Sequence, residues 1–200
     1  MMILSFAAAC ILSYLIGSIP NGLILCRALW NIDIRDYGSH NIGATNVWRT
    51  LGKGPGALVF LLDFLKGLLG AALGSYFVGT PSAMVMSGIL AIVGHSWSIF
   101  LRFKGGKGVA TGLGVIAMLM PQVTAAVFVI WIAIVLTTRY VSLGSIIGAA
   151  AVPVFAWIFD CPAEYIAFGC LAAAFIIYRH KSNIGRLLNG TESKIKAGHR

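Results

Sequence analysis

Charged residues are scarce in this chain. Only 10% of its 200 residues are charged, whereas soluble domains carry about 25%, and Asp and Glu together number six. Hydrophobic residues make up 58% of the sequence, which is more apolar surface than a soluble fold of this length could bury. The composition therefore excludes a soluble globular domain and predicts a single integral membrane domain over residues 1–200.

Several motifs of soluble enzymes and binding proteins are missing. The four cysteines form no C-x-x-C pair and no metal-ligand spacing, and the sequence has no G-x-S-x-G elbow for a serine nucleophile. The Gly-Lys pair at 106–107 is followed by Gly108 instead of the Ser or Thr of a nucleotide-binding P-loop. The net charge of +9 is spread over loops, with no soluble domain to present it to nucleic acid. We therefore expect no metal, no cofactor and no nucleic-acid partner.

Long apolar runs predict membrane helices, because a helix needs about 20 apolar residues to cross a bilayer. The runs cover residues 3–25, 56–78, 82–101, 109–120, 122–137, 141–159 and 163–178. Residues 109–137 fit two alternatives. They form either one long helix interrupted at Pro121, or two spans separated by a turn at residues 120–122.

Positive charge decides between these alternatives. With seven spans and an external N-terminus, all 15 Lys and Arg residues fall in cytoplasmic segments except Lys66, which lies inside a span. The external turns near Gly79, Pro121 and Asp160 hold none, as the positive-inside rule requires. The alternative would place Arg139 and the basic C-terminal tail outside. We therefore predict an all-α, polytopic bundle of seven transmembrane helices, with the N-terminus outside, the C-terminus cytoplasmic and the helix at 109–120 short.

The segment RFKGGKG at residues 102–108 joins two of these helices and favours an anion site. Gly105, Gly106 and Gly108 allow backbone N–H groups to approach an anion closely, while Lys104 and Lys107 supply positive charge. The glycines open the next helix, whose N-terminus attracts phosphate. The alternative is a flexible basic turn against lipid headgroups, which has little need for this glycine pattern.

A second polar segment, residues 37–46, places small hydrogen-bonding side chains between glycines, which suits a folded, ligand-wrapping loop. Turn and helix-capping roles are the alternative, and they are favoured for Asn41 or Thr45 taken alone. Arg49 can grip a phosphate bidentately or simply carry membrane-surface charge. Because no acidic residue is placed to complete a triad, Ser39 is expected to donate a hydrogen bond and not to form an acyl-enzyme. The candidate residues of this loop are Ser39 for catalysis and Gly38, Asn41, Gly43, Thr45 and Asn46 for substrate binding.

A third polar segment follows the last apolar run and places His180 and Asn183 on one helical face. His180 is a candidate general base or phosphate donor, and a solvated surface position is the alternative. His95, near the cytoplasmic end of the third run, is a candidate substrate-binding residue. Asp63 and Lys66 lie inside the second run, where we expect an ion pair because unpaired charges are costly in a membrane.

Together these motifs resemble those of the bacterial acyl-phosphate-dependent glycerol-3-phosphate acyltransferases. The strings are GSIP at 17–20, GSHNIGATN at 38–46, LDFLKG at 62–67, GHSW at 94–97, FKGGKGVAT at 103–111 and RHKSNI at 179–184. They follow one another along nearly the whole chain. One departure is His40, where a glycine is expected in most members.

The resemblance implies an enzyme of the bacterial inner membrane whose active site faces the cytoplasm. It would move a long-chain acyl group from acyl phosphate to the 1-hydroxyl of sn-glycerol 3-phosphate, giving lysophosphatidic acid and inorganic phosphate in the first step of phospholipid synthesis. The resemblance implies that the glycine-lysine loop binds glycerol phosphate and that Ser39, Arg49, His180 and Asn183 serve catalysis.

The expected partners are acyl phosphate, sn-glycerol 3-phosphate and the lipid bilayer, and the chain is expected to be a monomer. Two other hypotheses compete. One is a transporter or flippase for an organic or lipid phosphate, which charged residues near mid-membrane favour slightly. The other is a lipid phosphate phosphatase.

Overall fold

The computed structural model describes residues 1–195, which form helices and loops with no β-strand among them. They group into two compact units, residues 1–118 and 119–195. The first holds α1 (Met2–Ser18), α2 (Asn21–Trp30), α3 (Ala44–Leu51), α4 (Lys53–Phe77), α5 (Pro81–Ser96) and α6 (Val109–Leu119), which ends at the boundary. The second holds α7 (Pro121–Thr138), α8 (Val141–Ile158), α9 (Ala163–Arg179) and α10 (Lys181–Leu188). Lys196 and Arg200, counted above in the cytoplasmic tail, lie outside the described residues.

Every predicted apolar run contains a helix, and the all-helical membrane fold is confirmed. Among the described residues, five stretches are long and apolar enough to cross a membrane: Met2–Trp30, Lys53–Phe77, Pro81–Leu101, Pro121–Thr138 and Val141–Ile158. Helices α6 and α9 have 11 and 17 residues, fewer than the about 20 that a straight span needs. The helical ladder is interrupted at Met120, because α6 ends at Leu119 and α7 begins at Pro121, a first-turn position that proline favours. Both alternatives for residues 109–137 include this break.

The prediction of one continuous helix over residues 3–25 is wrong, because the chain breaks between α1 and α2. Pro20 has no N–H to continue the helical ladder, and it forces the residue before it out of the helical conformation. Ile19 accordingly has φ −60° and ψ 118°. The Lys66 ammonium of α4 donates to the Ile19 carbonyl oxygen at 2.8 Å, so the break is held by a partly buried hydrogen bond.

Small residues bring the helices of the first unit close together. Gly17 of α1 lies against the Ala91 backbone of α5, and Gly70 of α4 lies against the Ala91 side chain, so a Cβ at either glycine would overlap α5. Gly67 and Gly114 make equally close contacts between α4 and α6. Close approach of this kind favours helix association in a membrane through van der Waals packing. The short α6 is thereby packed into the first unit.

A small hydrophobic core supports the segment between α2 and α4. Its buried members are Leu23, Cys26, Ile34, Ile42, Val47 and Val59. They hold a 3-10 turn at Ile34–Asp36 and helix α3 against α4. The loop of residues 37–46 leaves this turn and enters α3, so the core fixes both of its ends.

In the second unit, α8 packs against both α7 and α9. Trp131 of α7 donates from Nε1 to Ser145 Oγ of α8 at 3.4 Å. The chain beyond α10 returns to the connection between α7 and α8, where the Ile195 N–H donates to the Arg139 carbonyl oxygen at 2.9 Å. The segment after α10 is thus anchored to the helices of its own unit.

Candidate active site

Asn46 organises the loop of residues 37–46. Its side-chain oxygen accepts from the Ser39 N–H at 2.9 Å, and only 2% of the residue is exposed. Its amide nitrogen lies between 2.9 and 3.1 Å from three backbone carbonyl oxygens, those of Ile34, Tyr37 and Asn41. Asn46 therefore fixes the backbone on both sides of Ser39.

Two positions of this loop have left-handed backbone. Gly38 has φ +58°, and any side chain there would overlap the Asn46 carboxamide. His40 has φ +56°, a conformation that glycine adopts freely but that costs other residues about 1–3 kcal/mol. The His40 ring donates from Nδ1 to the Arg35 carbonyl oxygen at 2.8 Å. This hydrogen bond helps to hold a histidine where the resemblance predicts a glycine.

The remaining residues of the loop form the turn before α3, lie within α3 or are exposed. Asn41 accepts from the Gly43 N–H at 2.9 Å through Oδ1, which is the turn role considered for it above. Thr45 lies in the first turn of α3 and Arg49 in its last turn, so the two share a helical face. Ser39 is exposed and Arg49 is half-buried, which leaves the Ser39 hydroxyl accessible to a ligand.

The chain leaves α5 earlier than the apolar run at 82–101 indicates, so that run is not one helix. Helix α5 ends at Ser96, and a separate 3-10 turn covers Ile99–Leu101. The Ser98 hydroxyl donates to the Ser18 carbonyl oxygen at 2.5 Å, and the Phe103 N–H donates back to the Ser98 carbonyl oxygen at 2.8 Å. These bonds turn the chain away from the axis of α5 and into the glycine loop.

His95 supports this loop from α5. The Gly106 N–H donates to the His95 carbonyl oxygen at 3.0 Å. A Cβ on Gly105 would overlap that carbonyl, and one on Gly106 would overlap the His95 imidazole. Gly108, with φ +84°, immediately precedes α6, which confirms that the glycines open a helix. Because the protein itself uses the Gly106 N–H, the amides best placed for an anion are those of the first turn of α6.

The expected ion pair within α4 is confirmed. Its carboxylate also lies near His95, the residue that supports the glycine loop. Lys66 Nζ lies 2.9 Å from Asp63 Oδ1, and both side chains are almost fully buried. Asn21 Nδ2 donates to the same carboxylate oxygen at 3.0 Å, and His95 Nδ1 lies 3.9 Å from it. Sequence reasoning missed Asn21. The one indication of its role was its position directly after Pro20, the last residue of the GSIP segment. The Asp63 carboxylate thus bonds to Asn21, beside the break after α1, and lies close to the histidine under the glycine loop.

His180 and Asn183 lie in the second unit, where α9 meets α10. His180 is 3% exposed, and its Nδ1 donates to the Ile176 carbonyl oxygen at 2.7 Å. In a neutral ring this hydrogen bond places the lone pair on Nε2. Asn183 is 4% exposed. The burial of His180 excludes the solvated-surface interpretation of this histidine.

Glu192 is a residue that sequence reasoning missed. Its Oε1 accepts from Ser142 Oγ at 2.8 Å and from Asn183 Nδ2 at 2.9 Å, and its Oε2 accepts from Arg186 Nε at 2.7 Å. Burial opposes ionisation, but these hydrogen bonds outweigh it and hold the pKa of Glu192 below its ordinary value. The sequence contains only six acidic residues, and this scarcity was the one indication that Glu192 could be important.

The candidate residues therefore fall into two groups. Those of the first unit lie on the loop of residues 37–46, on α3 and on the glycine loop that His95 supports. In the glycine loop Lys104 is exposed and Lys107 is half-buried. Arg35, just before the first loop, lines one groove together with Lys104. The second unit supplies His180 and Asn183, and Asn183 donates to Glu192.

Comparison with known proteins identifies a family. The family model described as glycerol-3-phosphate acyltransferase matches residues 7–190. The chain is 48% identical over 183 residues to the glycerol-3-phosphate acyltransferase of Desulforamulus reducens, covering 92% of each chain. It is 49% identical over 189 residues to that of Syntrophomonas wolfei, covering 94% of this chain and 96% of the relative.

Two solved structures are similar over nearly their full length. The crystal structure of PlsY, an integral membrane glycerol 3-phosphate acyltransferase, in its glycerol 3-phosphate form has a TM-score of 0.91 and 41% identity, covering 96% of each chain. The lysophosphatidic acid form has a TM-score of 0.88 and 41% identity, covering 95% of each chain. This chain therefore belongs to the glycerol-3-phosphate acyltransferase family and has the fold of its integral membrane, multi-pass members.

Proposed function

We propose that this protein transfers a long-chain acyl group from acyl phosphate to the 1-hydroxyl of sn-glycerol 3-phosphate, as the first step of phospholipid synthesis. Family membership supports the acceptor, and the two forms of PlsY support acceptor and product. The observation that carries the proposal is the glycine loop held on His95, which brings two lysines to the N-terminus of α6. That combination suits a phosphate monoester.

Each group of candidate residues has a proposed role. The glycerol phosphate site comprises His95, Lys104, Gly105, Gly106, Lys107 and Gly108. Ser39 donates a hydrogen bond to phosphate or to the developing oxyanion, and Arg49 grips phosphate. Gly38, Asn41, Gly43, Thr45 and Asn46 give the first loop its shape. His180 and Asn183 are proposed to act in catalysis.

The chemistry requires little activation of the donor. The glycerol 1-hydroxyl oxygen attacks the acyl carbonyl carbon, the bond from that carbon to the bridging phosphate oxygen breaks, and inorganic phosphate leaves with the electron pair. Acyl phosphate is a mixed anhydride with a good leaving group, so positioning and charge neutralisation can supply most of the rate. The hydroxyl proton passes either to Nε2 of His180 or to an oxygen of the leaving phosphate. A His180→Gln variant that keeps substantial kcat would assign the proton to the phosphate.

The proposal includes a location and a topology. The protein is a monomer in the bacterial inner membrane, with one membrane domain, seven spans, an external N-terminus and an active site facing the cytoplasm. The support is the distribution of Lys and Arg between the two sides. Acyl phosphate carries a lipid tail, so a site at the membrane surface can receive the tail from the bilayer and the acceptor from water.

The test is a product assay on protein purified in detergent. Given acyl phosphate and glycerol 3-phosphate, the protein should form lysophosphatidic acid and inorganic phosphate in equal amounts. When glycerol 3-phosphate is omitted, phosphate should be released much more slowly. Release of phosphate without lysophosphatidic acid would identify a phosphatase instead. Absence of both products, with uptake of glycerol 3-phosphate into proteoliposomes, would identify a transporter.

The buried charges of α4 no longer favour a transporter. Lys66 contacts Asp63 and the Ile19 carbonyl oxygen, and Asp63 contacts Asn21. These contacts give both charges a structural role in holding α1, α2 and α4, without any need for an ion pathway.

A further inference from the structure

Asp63 is a buried carboxylate whose contacts converge on a single oxygen atom. Asn21 Nδ2 donates to Oδ1 at 3.0 Å, and Lys66 Nζ lies 2.9 Å from the same atom. Only 2% of Asp63 is exposed, and no step of the proposed chemistry uses it. One donor from α2 and one from α4 therefore fix the place of this negatively charged oxygen inside the first unit.

The His95 imidazole lies between this oxygen and the glycine loop. Its Nδ1 is 3.9 Å from Asp63 Oδ1, which is too far for a hydrogen bond but close enough for a buried charge to orient the polar edge of the ring. Its Nε2 lies against Gly106, where an added Cβ would overlap the ring. Because His95 is also buried, water does not screen the attraction between the carboxylate and the ring.

The main chain of His95 holds the same loop. The Gly106 N–H donates to the His95 carbonyl oxygen at 3.0 Å, and a Cβ on Gly105 would overlap that carbonyl. The loop therefore rests on His95 at two points, the ring and the carbonyl. Because these contacts are so close, a shift of the ring would displace Gly106, and with it Lys107 and the start of α6.

We propose that Asp63 is a positioning residue for the acceptor site, acting through the His95 ring on the glycine loop. The proposal rests on the proposed function, which assigns this loop to glycerol 3-phosphate. Without the carboxylate, the ring loses the charge that orients it, and the loop loses one of its two supports. The loss should weaken the binding of glycerol 3-phosphate more than that of acyl phosphate.

The test is the binding of glycerol 3-phosphate to the purified protein in detergent, measured by isothermal titration calorimetry. The variant is the double substitution Asp63→Leu with Lys66→Met, because Asp63→Leu alone would leave a buried, unpaired ammonium. It should bind glycerol 3-phosphate about fivefold or more weakly than the wild type. In steady-state kinetics it should raise the KM for glycerol 3-phosphate, with kcat at saturating glycerol 3-phosphate close to the wild-type value.

This double substitution also separates positioning from a direct effect of charge. It removes one negative and one positive charge that lie 2.9 Å apart, so the two changes in the electric field at the substrate largely cancel. A carboxylate that acted on the substrate only through space would therefore leave the affinity for glycerol 3-phosphate unchanged.

Ser13→Ala is the matched control for stability. Ser13 Oγ donates to the Gly70 carbonyl oxygen at 2.9 Å, so this variant removes another buried bond between α1 and α4 while leaving the bonds of Asp63 in place. It should lower the unfolding temperature and leave the affinity for glycerol 3-phosphate at the wild-type value.

A double-mutant cycle with His95→Ala tests the route from Asp63 to the loop. In that background the ring is absent, so substituting Asp63 and Lys66 should weaken the binding of glycerol 3-phosphate no further. Additive losses of affinity would overturn the proposal, because they would mean that Asp63 does not act through His95.

The outcomes separate this proposal from the proposed function. Wild-type affinity for glycerol 3-phosphate in the double variant would overturn the positioning role, and so would an equal loss of affinity in Ser13→Ala, which would make the effect one of stability. If the wild type binds glycerol 3-phosphate but makes no lysophosphatidic acid from acyl phosphate, the proposed function fails. Weaker, non-additive binding in the double variant would still support the positioning role in that case, because calorimetry does not depend on turnover.

Discussion

At the scale of single residues, Gly106 shows how tightly the glycine loop is defined. Alanine there would place a Cβ that overlaps the His95 ring at Nε2, so the loop would have to move relative to His95. Gly106→Ala should raise the KM for glycerol 3-phosphate about tenfold or more, equivalent to roughly 1.4 kcal/mol of binding, with a smaller change in the KM for acyl phosphate. Steady-state kinetics with each substrate varied in turn measures the two effects.

A matched control exists in the same chain. Gly54 lies at the start of α4 with no atom within 4 Å of an added Cβ, so Gly54→Ala should keep wild-type kinetics. Equal increases of both KM values in Gly106→Ala, in protein that elutes and unfolds normally, would contradict a dedicated glycerol phosphate site at this loop.

Asp63 is the second residue at which the structure makes a quantitative claim. Replacing it leaves the Lys66 charge buried without its carboxylate, and breaking such a pair costs about 3–5 kcal/mol. Asp63→Leu should therefore unfold at a clearly lower temperature in detergent, and adding Lys66→Met should recover part of the loss. Asp160→Asn, at an exposed turn, serves as the control. A single Asp63→Leu variant with wild-type thermal stability would show that the pair does not hold α4.

At the scale of elements, the hydrophobic pattern located the helices but not the interruptions that build the site. Runs of apolar residues predicted α4 and α6–α9 because hydropathy alone decides which segments enter a bilayer. Pro20 indicated a helix break, but the first apolar run was long enough to be interpreted as one continuous helix. The positions of Asn46 and Glu192 could not be derived, because each side chain bonds to groups that only the folded chain brings together.

The segment after α10 makes its own prediction through Glu192. The pKa of this carboxyl is lower in the folded protein than in the unfolded chain, where it is about 4.3. Its stabilising contribution is therefore fully present above the unfolded pKa and is lost as the pH falls through the folded pKa. The difference in thermal stability between wild type and Glu192→Gln should be constant near neutral pH and shrink in acid.

Thermal unfolding of both proteins across this pH range measures the difference directly. Glu164→Gln, which changes an exposed carboxyl in the first turn of α9, is the control variant. A stability difference that persists unchanged in acid would mean that Glu192 acts through its shape and not through its charge.

At the scale of the whole molecule, topology is the feature that the charge distribution predicts most strongly. In a variant whose only cysteine is Cys161, a membrane-impermeant maleimide should label intact cells, because the turn at Asp160 is proposed to lie outside. A single cysteine introduced by Thr80→Cys should behave in the same way. One introduced by Ser193→Cys should react only after permeabilisation, and its labelling in intact cells would reverse the orientation.

The central claim for the molecule is that its active-site residues hold two anionic substrates while the acyl group passes directly from one substrate to the other. In this account Ser39 is a hydrogen-bond donor and not the residue that carries the acyl group. Loss of such a donor typically costs about a hundredfold or more in rate, so Ser39→Ala should lose kcat at near-normal substrate affinity. The most direct measurement is rapid quench of the enzyme with radiolabelled acyl phosphate without acceptor, followed by mass spectrometry of the peptide that contains Ser39. Direct transfer predicts no acylated peptide, with label converted to lysophosphatidic acid only when glycerol 3-phosphate is added. Stoichiometric acylation of Ser39, formed and consumed at the turnover rate, would contradict it.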